Sequence, residues 1–378
     1  MIMRAIQKYL PDPRHTEIKR IFVSAKPAEA WKVARHFDAS AISWVRLLFD
    51  IRMLPEKLTG DVHPQKDHRI GIDQITEDDT GFMILHEIAG KEVVIGSVGQ
   101  FWHLTIPFAI VDSYNFKDFR EPGWGKLAWA IVVEPYLDGS TISFELRTTA
   151  TDEDSWKKLK NYYRIIGIGS KAIRSSLMTH FETVLGKMEL PDEDKLALPG
   201  DEIIHEVRYS YTHAKNIEAP PDIIWQYLMQ LGCDRAGWYS IDLLDHDGKP
   251  SVNHLVKGWK TRNIGDKLAA TPNDRDGFFD VYAVNHENYF VIGGHSRRLG
   301  KEFRMSWSFV LESIGVDATR LITRVRLNIE PGFNSWLQGT LIAPLIHGIM
   351  QHVQLKTFKR YAERDAMLRQ SNISKMAY

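Results

Sequence analysis

Two hydrophobic periods run through this chain, and they recur in the same order in each half. The shorter has period two. Over 141–149, Ile142, Phe144 and Leu146 alternate with Ser143, Glu145 and Arg147. Over 305–312, Met305, Trp307, Phe309 and Leu311 alternate with Ser306, Ser308 and Val310, and over 320–328 Leu321, Val325 and Leu327 alternate with Arg320, Arg324 and Arg326. This pattern predicts antiparallel strands with one face on a core. The longer period follows in each half, at about 154–188 and about 333–366. Trp156, Leu159, Tyr163 and Ile166 share a helical stripe, continued by Ile173, Leu177, Phe181 and Val184. Gly167 and Gly169 are expected to bend or break the first long helix, and Pro344 the second.

The elements also repeat. Pro27 follows the strand-like EIKRIFV and opens a helix carrying Trp31; Pro220-Pro221 follows YTHAKNIE and opens one carrying Trp225, 194 positions later. Trp129-Ala-Ile-Val-Val-Glu134 is matched by Trp307-Ser-Phe-Val-Leu-Glu312, 178 positions later. The alternative to a duplication is convergence on a common alternating pattern. Between the halves, ELPDEDKLALPGDEI at 189–203 breaks the periodicity. The expected organisation is a domain at 1–190, a linker at 191–203, a second domain at 204–366 and a flexible tail at 367–378. Each half then reads strand, helix, a run of strands and a long helix. This is an α+β domain whose curved antiparallel sheet wraps around its C-terminal helix. Volume enclosed that way becomes a pocket wherever side chains do not fill it.

Composition narrows the function classes. The length of 378 residues suits two domains. Values of 44% hydrophobic and 25% charged exclude wholesale disorder and a polytopic membrane protein. Basic and acidic residues balance at 48 each, which argues against general nucleic-acid binding and for a small or apolar partner. The lone Cys233 cannot form an intrachain disulfide, which fits a cytoplasmic location. The N-terminal residues lack the apolar run of a secretory signal. The apolar stretch Trp336–Met350 is interrupted by Gln338, Gly339, Pro344 and His347, short of the ~20 residues a span requires. It reads as a buried helix, with a lipid-entry gate as the rival, and no stable membrane insertion is expected. Oligomeric state stays open. With 11 Trp, 13 Tyr and 17 Phe, the question becomes whether aromatics fill cores or line pockets.

Several motifs carry a resemblance. In the second half these are Gln230-Leu-Gly232-Cys-Asp-Arg235-Ala-Gly237-Trp238-Tyr239-Ser240-Ile-Asp242, then Asp245-His-Asp247-Gly248-Lys-Pro250-Ser251 and Ile264-Gly265-Asp266. In the first they are Glu92-Val-Val-Ile-Gly96-Ser-Val-Gly99-Gln-Phe101-Trp102, Pro122-Gly123-Trp-Gly-Lys126 and Asn161-Tyr-Tyr163-Arg-Ile-Ile-Gly167. Over roughly 15–187 and 205–365 the chain resembles the START-like, or SRPBCC, superfamily. That superfamily includes Bet v 1-type proteins, polyketide cyclases and lipid-transfer domains, and the likeness is to uncharacterised bacterial branches. The resemblance implies two tandem helix-grip domains. This fold hosts binders, carriers and enzymes.

Candidate chemistry is sparse. Arg235, Trp238, Tyr239 and Asp242 lie within eight residues. They read either as a pocket lip, with aromatics on an apolar ligand and charges on its polar end, or as a loop pinned by an Arg–Asp pair. Asp242, Asp245 and Asp247 lack the position-12 Glu of a calcium loop and read as a solvated acidic turn. The histidine spacings match no zinc motif, and neither a nucleophile elbow nor a dinucleotide fingerprint is present. Nothing in its context activates Cys233. His103, Glu87, Glu92 and Arg147 are the acid–base candidates. Arg320, Arg324 and Arg326 share a strand face that could hold an anion, or could be a solvated outer face. The leading reading is binding or transport of a small hydrophobic or amphipathic ligand, lipid- or polyketide-like. A cyclase, dehydratase or hydrolase acting in the same cavity, and a filled-core interaction protein, are the alternatives. The ligand-binding candidates are Trp102, His103, Trp129, Tyr163, Arg235, Trp238, Tyr239, Asp242 and Trp307. No catalytic residue, metal or cofactor is assigned.

Overall fold

The computed structural model describes residues 4–38, 71–77, 80–103, 105–272, 277–298, 301–329 and 343–376. The chain divides into two compact units, Met1–Glu189 with Gln370–Tyr378, and Leu190–Arg369. In the first, helix α1 (Ala5–Tyr9) precedes β1 (His15–Val23), α2 (Pro27–Arg35) and α3 (Ile72–Ile75). Strands β2 (Phe82–Ile88), β3 (Glu92–Gly99), β4 (Gly125–Tyr136) and β5 (Gly139–Ala150) lead to the long helix α4 (Glu153–Leu185). The second unit runs β6 (Tyr209–Ile217), α5 (Pro221–Leu228), α6 (Asp242–Asp245) and β7 (Lys267–Ala269). It continues through β8 (Phe278–Asn285), β9 (Tyr289–Arg298), β10 (Lys301–Ser313) and β11 (Thr319–Ile329) to α7 (Ala343–Met376). The antiparallel sheets have the orders β1-β5-β4-β3-β2 and β6-β11-β10-β9-β8-β7. In each, the first strand pairs with the last and the others form a meander. Both units are α+β helix-grip folds.

Period-two alternation sets the inner faces. Trp129, Ile131 and Val133 of β4 join Ile142, Phe144 and Leu146 of β5 against Leu177, Phe181 and Leu185 of α4. In the second unit Phe309, Leu311 and Leu321 pack with Leu355, Phe358 and Ala362 of α7. Gly167 and Gly169 neither break nor end α4, contrary to expectation. A glycine costs a helix only ~1 kcal/mol, and buried packing at Leu159 before them and Phe181 after them outweighs it. Pro344 stands in the first turn of α7, where its missing N–H removes no helical bond. Residues 336–342 of the apolar stretch lie outside the described residues. Helix α7 continues to Met376, so most of the segment read as a flexible tail is helical; it contains neither glycine nor proline.

The units repeat one another in register, not merely in order. One row across the first sheet is Ile84, Ile95, Trp129, Leu146 and Glu17; the matching row is Val281, Ile292, Trp307, Val325 and Tyr211. A β-bulge follows Ile84 in one unit and Val281 in the other. The bulged residue, Leu85 or Tyr282, lies over a glycine of the next strand, Gly96 or Gly293. A further shared landmark is a hydroxyl at the start of the last strand bonded to a carbonyl two residues beyond the first. Ser140 Oγ donates to Ala25 O and Thr319 Oγ1 to Ala219 O, each at 2.8 Å. A Cβ on Gly293 would sit 2.3 Å from the Met305 carbonyl oxygen and 2.4 Å from the Tyr282 ring. Because backbone cannot yield there, Gly293→Ala is expected to destabilise the second unit by ~1–3 kcal/mol in urea unfolding.

The outer faces are covered, not solvated. In the first unit Ile6 and Leu10 close over Val94, Val98, Ala128 and Val132. Beside them, Glu145 accepts from Arg147 Nε at 2.6 Å and from Arg4 Nη1 at 3.3 Å, while Arg147 Nη1 reaches Leu10 O at 3.0 Å. Burial alone would raise the Glu145 carboxyl, but the guanidinium groups of Arg147 and Arg4 hold it below its ordinary value. In the second unit, residues 193–203 play the same part. Leu198 packs on Val310 and Ile322, and Ser308 Oγ donates to Pro199 O at 2.5 Å. Arg320 pairs with Glu193, and Arg324 Nη1 donates to Leu196 O at 2.7 Å and to Asp201 Oδ2 at 2.6 Å. Arg326 donates to Asp201 O. The arginine face is therefore engaged by residues 193–203, with Arg324 buried and Arg326 partly exposed. The acidic, carbonyl-rich segment read as a linker is pinned on it.

Candidate functional site

The second unit has a half-open pocket of about 190 Å³ between α7, α6 with the turn leading into it, and strands β8 and β10. Its lining is Trp238, Ser240, Asp245, Ala270, Phe279, Trp307, Met350, Gln351 and Gln354. Trp307 enters from β10 because its register puts it on the inner face opposite Val325. Trp238 comes from the loop after α5. There Gly237, at φ 88, turns the chain, and a side chain would strike His246 Nδ1 at 2.8 Å. The two indoles stack, with centroids 5.6 Å apart and planes at 17°. Phe279 meets Trp238 edge-on at 5.4 Å, and Trp238 Nε1 donates to Ala270 O at 3.0 Å.

The polar wall is set by α6 and α7. Ser240 Oγ donates to Met350 O at 3.0 Å. Gln354 Nε2 donates to Trp238 O at 2.8 Å, and Gln351 Nε2 donates to Gln354 Oε1 at 2.7 Å. Both glutamines are almost fully buried. Among the described residues, Gln351 Oε1 and both carboxylate oxygens of Asp245 are buried without a hydrogen-bond partner. Burial, reinforced by the neighbouring Asp242 carboxylate, pushes the Asp245 carboxyl up to about 7. Cys233 lies just behind, its thiol 3.2 Å from Asp245 O. Burial raises that thiol to about 11, so it stays protonated at neutral pH.

Of the nine sequence candidates, Trp238 and Trp307 are drawn together from distant strands of sequence to line the cavity. Arg235 instead pins loops, donating to Met229 O at 2.7 Å and Thr261 O at 3.0 Å. Tyr239 is core: its ring packs against Tyr227, Phe358 and Tyr361, and its hydroxyl accepts from Gln230 Nε2 at 3.0 Å. Asp242 accepts from Ser251 Oγ at 2.6 Å and anchors its own turn. In the first unit Trp129 belongs to the core, stacked on Phe144 at 5.5 Å. Trp102 lies 5.8 Å from Lys158 Nζ, and His103 beside it is exposed. Tyr163 faces His15 at 5.7 Å from α4, and burial raises its phenol to about 12. The acid–base candidates are likewise apart. Glu87 pairs with Arg35 at 2.7 Å, Glu92 lies 3.5 Å from His86, and Arg147 is on the covered outer face.

No family model and no curated protein matches this chain. Solved structures overlap with parts of it. MLL2253 from Mesorhizobium loti is 14% identical over 40% of this chain and 97% of its own, with a TM-score of 0.26. The hypothetical protein jhp0584 from Helicobacter pylori is 10% identical over 47% of this chain and 98% of its own, at 0.31. CalU16 from Micromonospora echinospora is 14% identical over 45% of this chain and 85% of its own, at 0.25. Likeness at this level extends to neither family nor activity. Among the described residues, no helix is long and apolar enough to cross a membrane, and no group of three His, Cys, Asp or Glu could hold a metal ion.

Asp245, Gln351 and Gln354 are absent from the sequence candidates. Two signals bore on them. Gln351 and Gln354 stand three apart on a helix, so they share a face. Leu243 and Leu244 are 78% and 60% exposed, the reverse of the usual pattern, because the short helix α6 turns Asp245 inward instead. The acidic turn is thus only partly solvated. The raised carboxyl has a sign. Its folded value lies above the ordinary 3.8, so the fold loses stability as pH rises from about 4 to about 7. Asp245→Asn is expected to stabilise the second unit by ~1–2 kcal/mol at pH 8, allowing for solvent reaching the site, and to change nothing at pH 4. Urea unfolding at the two pH values measures it.

Proposed function

We propose that the second unit binds a small amphipathic molecule in the cavity between Trp238, Trp307 and Asp245. The observation that carries this reading is the combination of a stacked aromatic wall with buried polar oxygens that no protein group satisfies. A structural core of this type has its polar groups paired, because an unpaired buried oxygen costs ~1–3 kcal/mol. A ligand that completes those bonds while covering the indoles recovers that cost. Apolar area supplies affinity and the polar end fixes orientation. Native mass spectrometry of the intact chain, before and after organic extraction, tests the reading. A mass increment that is lost on extraction, and lost in Trp307→Ala, supports it. An increment that survives in Trp307→Ala places the ligand elsewhere.

One observation favours a second reading. A carboxyl near 7 in a cavity is suited to proton transfer, so the site could host an acid–base enzyme. In that case Asp245→Asn would retain binding and abolish turnover of the bound molecule.

A further inference from the structure

We infer that the molecule held in this cavity is an amphipathic amine, with its apolar body on Trp238 and Trp307 and a protonated nitrogen at Asp245 and Gln351. The inference rests on the binding reading above and adds the ligand's charge and hydrogen-bonding sense.

The argument begins with the amide orientations. Trp238 O can only accept, so the Gln354 atom 2.8 Å away is its Nε2. Gln354 Oε1 therefore faces Gln351, and the Gln351 atom 2.7 Å from it must be Nε2. Gln351 Oε1 is then left as an open acceptor. A backbone carbonyl fixes the direction of the whole relay. The Ser240 hydroxyl and the Trp238 indole N–H are turned onto the carbonyls of Met350 and Ala270. The buried oxygens left without a partner on Gln351 and Asp245 are a carbonyl oxygen and two carboxylate oxygens, which are acceptors.

Charge points the same way. No lining side chain is basic. Asp242 on the same turn bears on Asp245, and the Cys233 thiol beside it is neutral. Lining residues from α7, β8 and β10 are uncharged. A carboxylate or phosphate headgroup would meet acceptors and a like charge. An ammonium would donate to the same oxygens and lie near indole faces that attract cations.

The test uses three probes of one shape. 2-Phenylethylamine, 2-phenylethanol and phenylacetate are titrated into the full chain at pH 8, with tryptophan fluorescence and calorimetry as readouts. The amine is expected to bind at least ~10-fold more tightly than the alcohol, and phenylacetate most weakly. Asp245→Asn is expected to remove the amine's advantage, bringing the amine and alcohol affinities to within about 2-fold of each other. Gln351→Leu gives an independent, smaller loss for the amine. If the alcohol or phenylacetate binds as tightly as the amine, the amine inference fails and the pocket stands. If none of the three binds, the pocket reading itself fails.

Discussion

Replacing Arg324 by alanine is expected to destabilise the second unit by about 3–5 kcal/mol. The Arg324 side chain is 4% exposed. It holds Leu196 O, Asp201 Oδ2 and the Glu193 carbonyl, and its Nε reaches Thr212 Oγ1 at 3.0 Å. Deleting it leaves the Asp201 carboxylate without its shortest ion pair and removes three of the bonds that hold residues 193–203 on the sheet. Two readouts should move together: the urea midpoint of the second unit falls, and protease cleavage within 193–203 accelerates. Arg326→Ala is the control. Arg326 is more exposed than Arg324, at 22%, and the effect should stay below ~1 kcal/mol. Equal losses in the two variants would mean that the segment is not held by the buried arginine.

Trp238→Ala is expected to cost a further ~3–5 kcal/mol and to abolish probe binding. The indole is 3% exposed, stacks on Trp307, and donates to Ala270 O. Its removal loses the buried area and opens the cavity wall. Trp238→Phe retains part of the packing but not the indole N–H. It should fold with a smaller loss and bind more weakly. Unfolding has to be followed for each unit separately, because a chain of two units need not unfold in one step.

Much of the fold was legible in the sequence, for identifiable reasons. Strand alternation over Ile142–Leu146 and Met305–Leu311 fixed which side chains face the helices. The spacing of Trp31, Trp129, Trp225 and Trp307 marked equivalent places in the two units. The deeper repeat was not legible. Gly96 and Gly293 gain their meaning only from the bulged Leu85 and Tyr282 lying over them, a contact between strands. The covered outer faces were missed for a related reason. Period two separates inside from outside, but it does not reveal that a distant acidic segment will lie on the outside.

Two residues of the candidate site were legible in the sequence. Trp238 and Trp307 stand out as large aromatics at elements that face inward. Arg235, Tyr239 and Asp242 are near Trp238 in sequence but make their contacts elsewhere. In the loop, Tyr239 takes a left-handed conformation at φ 59 and its ring packs in the core, while Arg235 and Asp242 spend their polar atoms on neighbouring backbone and Ser251. Asp245, three residues past Asp242, is the carboxylate that reaches the cavity. Gln351 and Gln354 come from the far end of the chain, and only folding brings them to Trp238.

The central claim is that the second unit holds a small molecule between two stacked indoles. Fluorine NMR of the 5-fluorotryptophan-labelled chain tests it most directly. The chain has 11 tryptophans, and Trp→Phe variants assign the resonances of Trp238 and Trp307. The account predicts that titrating 2-phenylethylamine and its neutral analogue shifts these two resonances saturably, with Trp31 and Trp129 of the first unit unchanged. Saturable shifts confined to other tryptophans, or none at Trp238 and Trp307 with any of the probes, would contradict it.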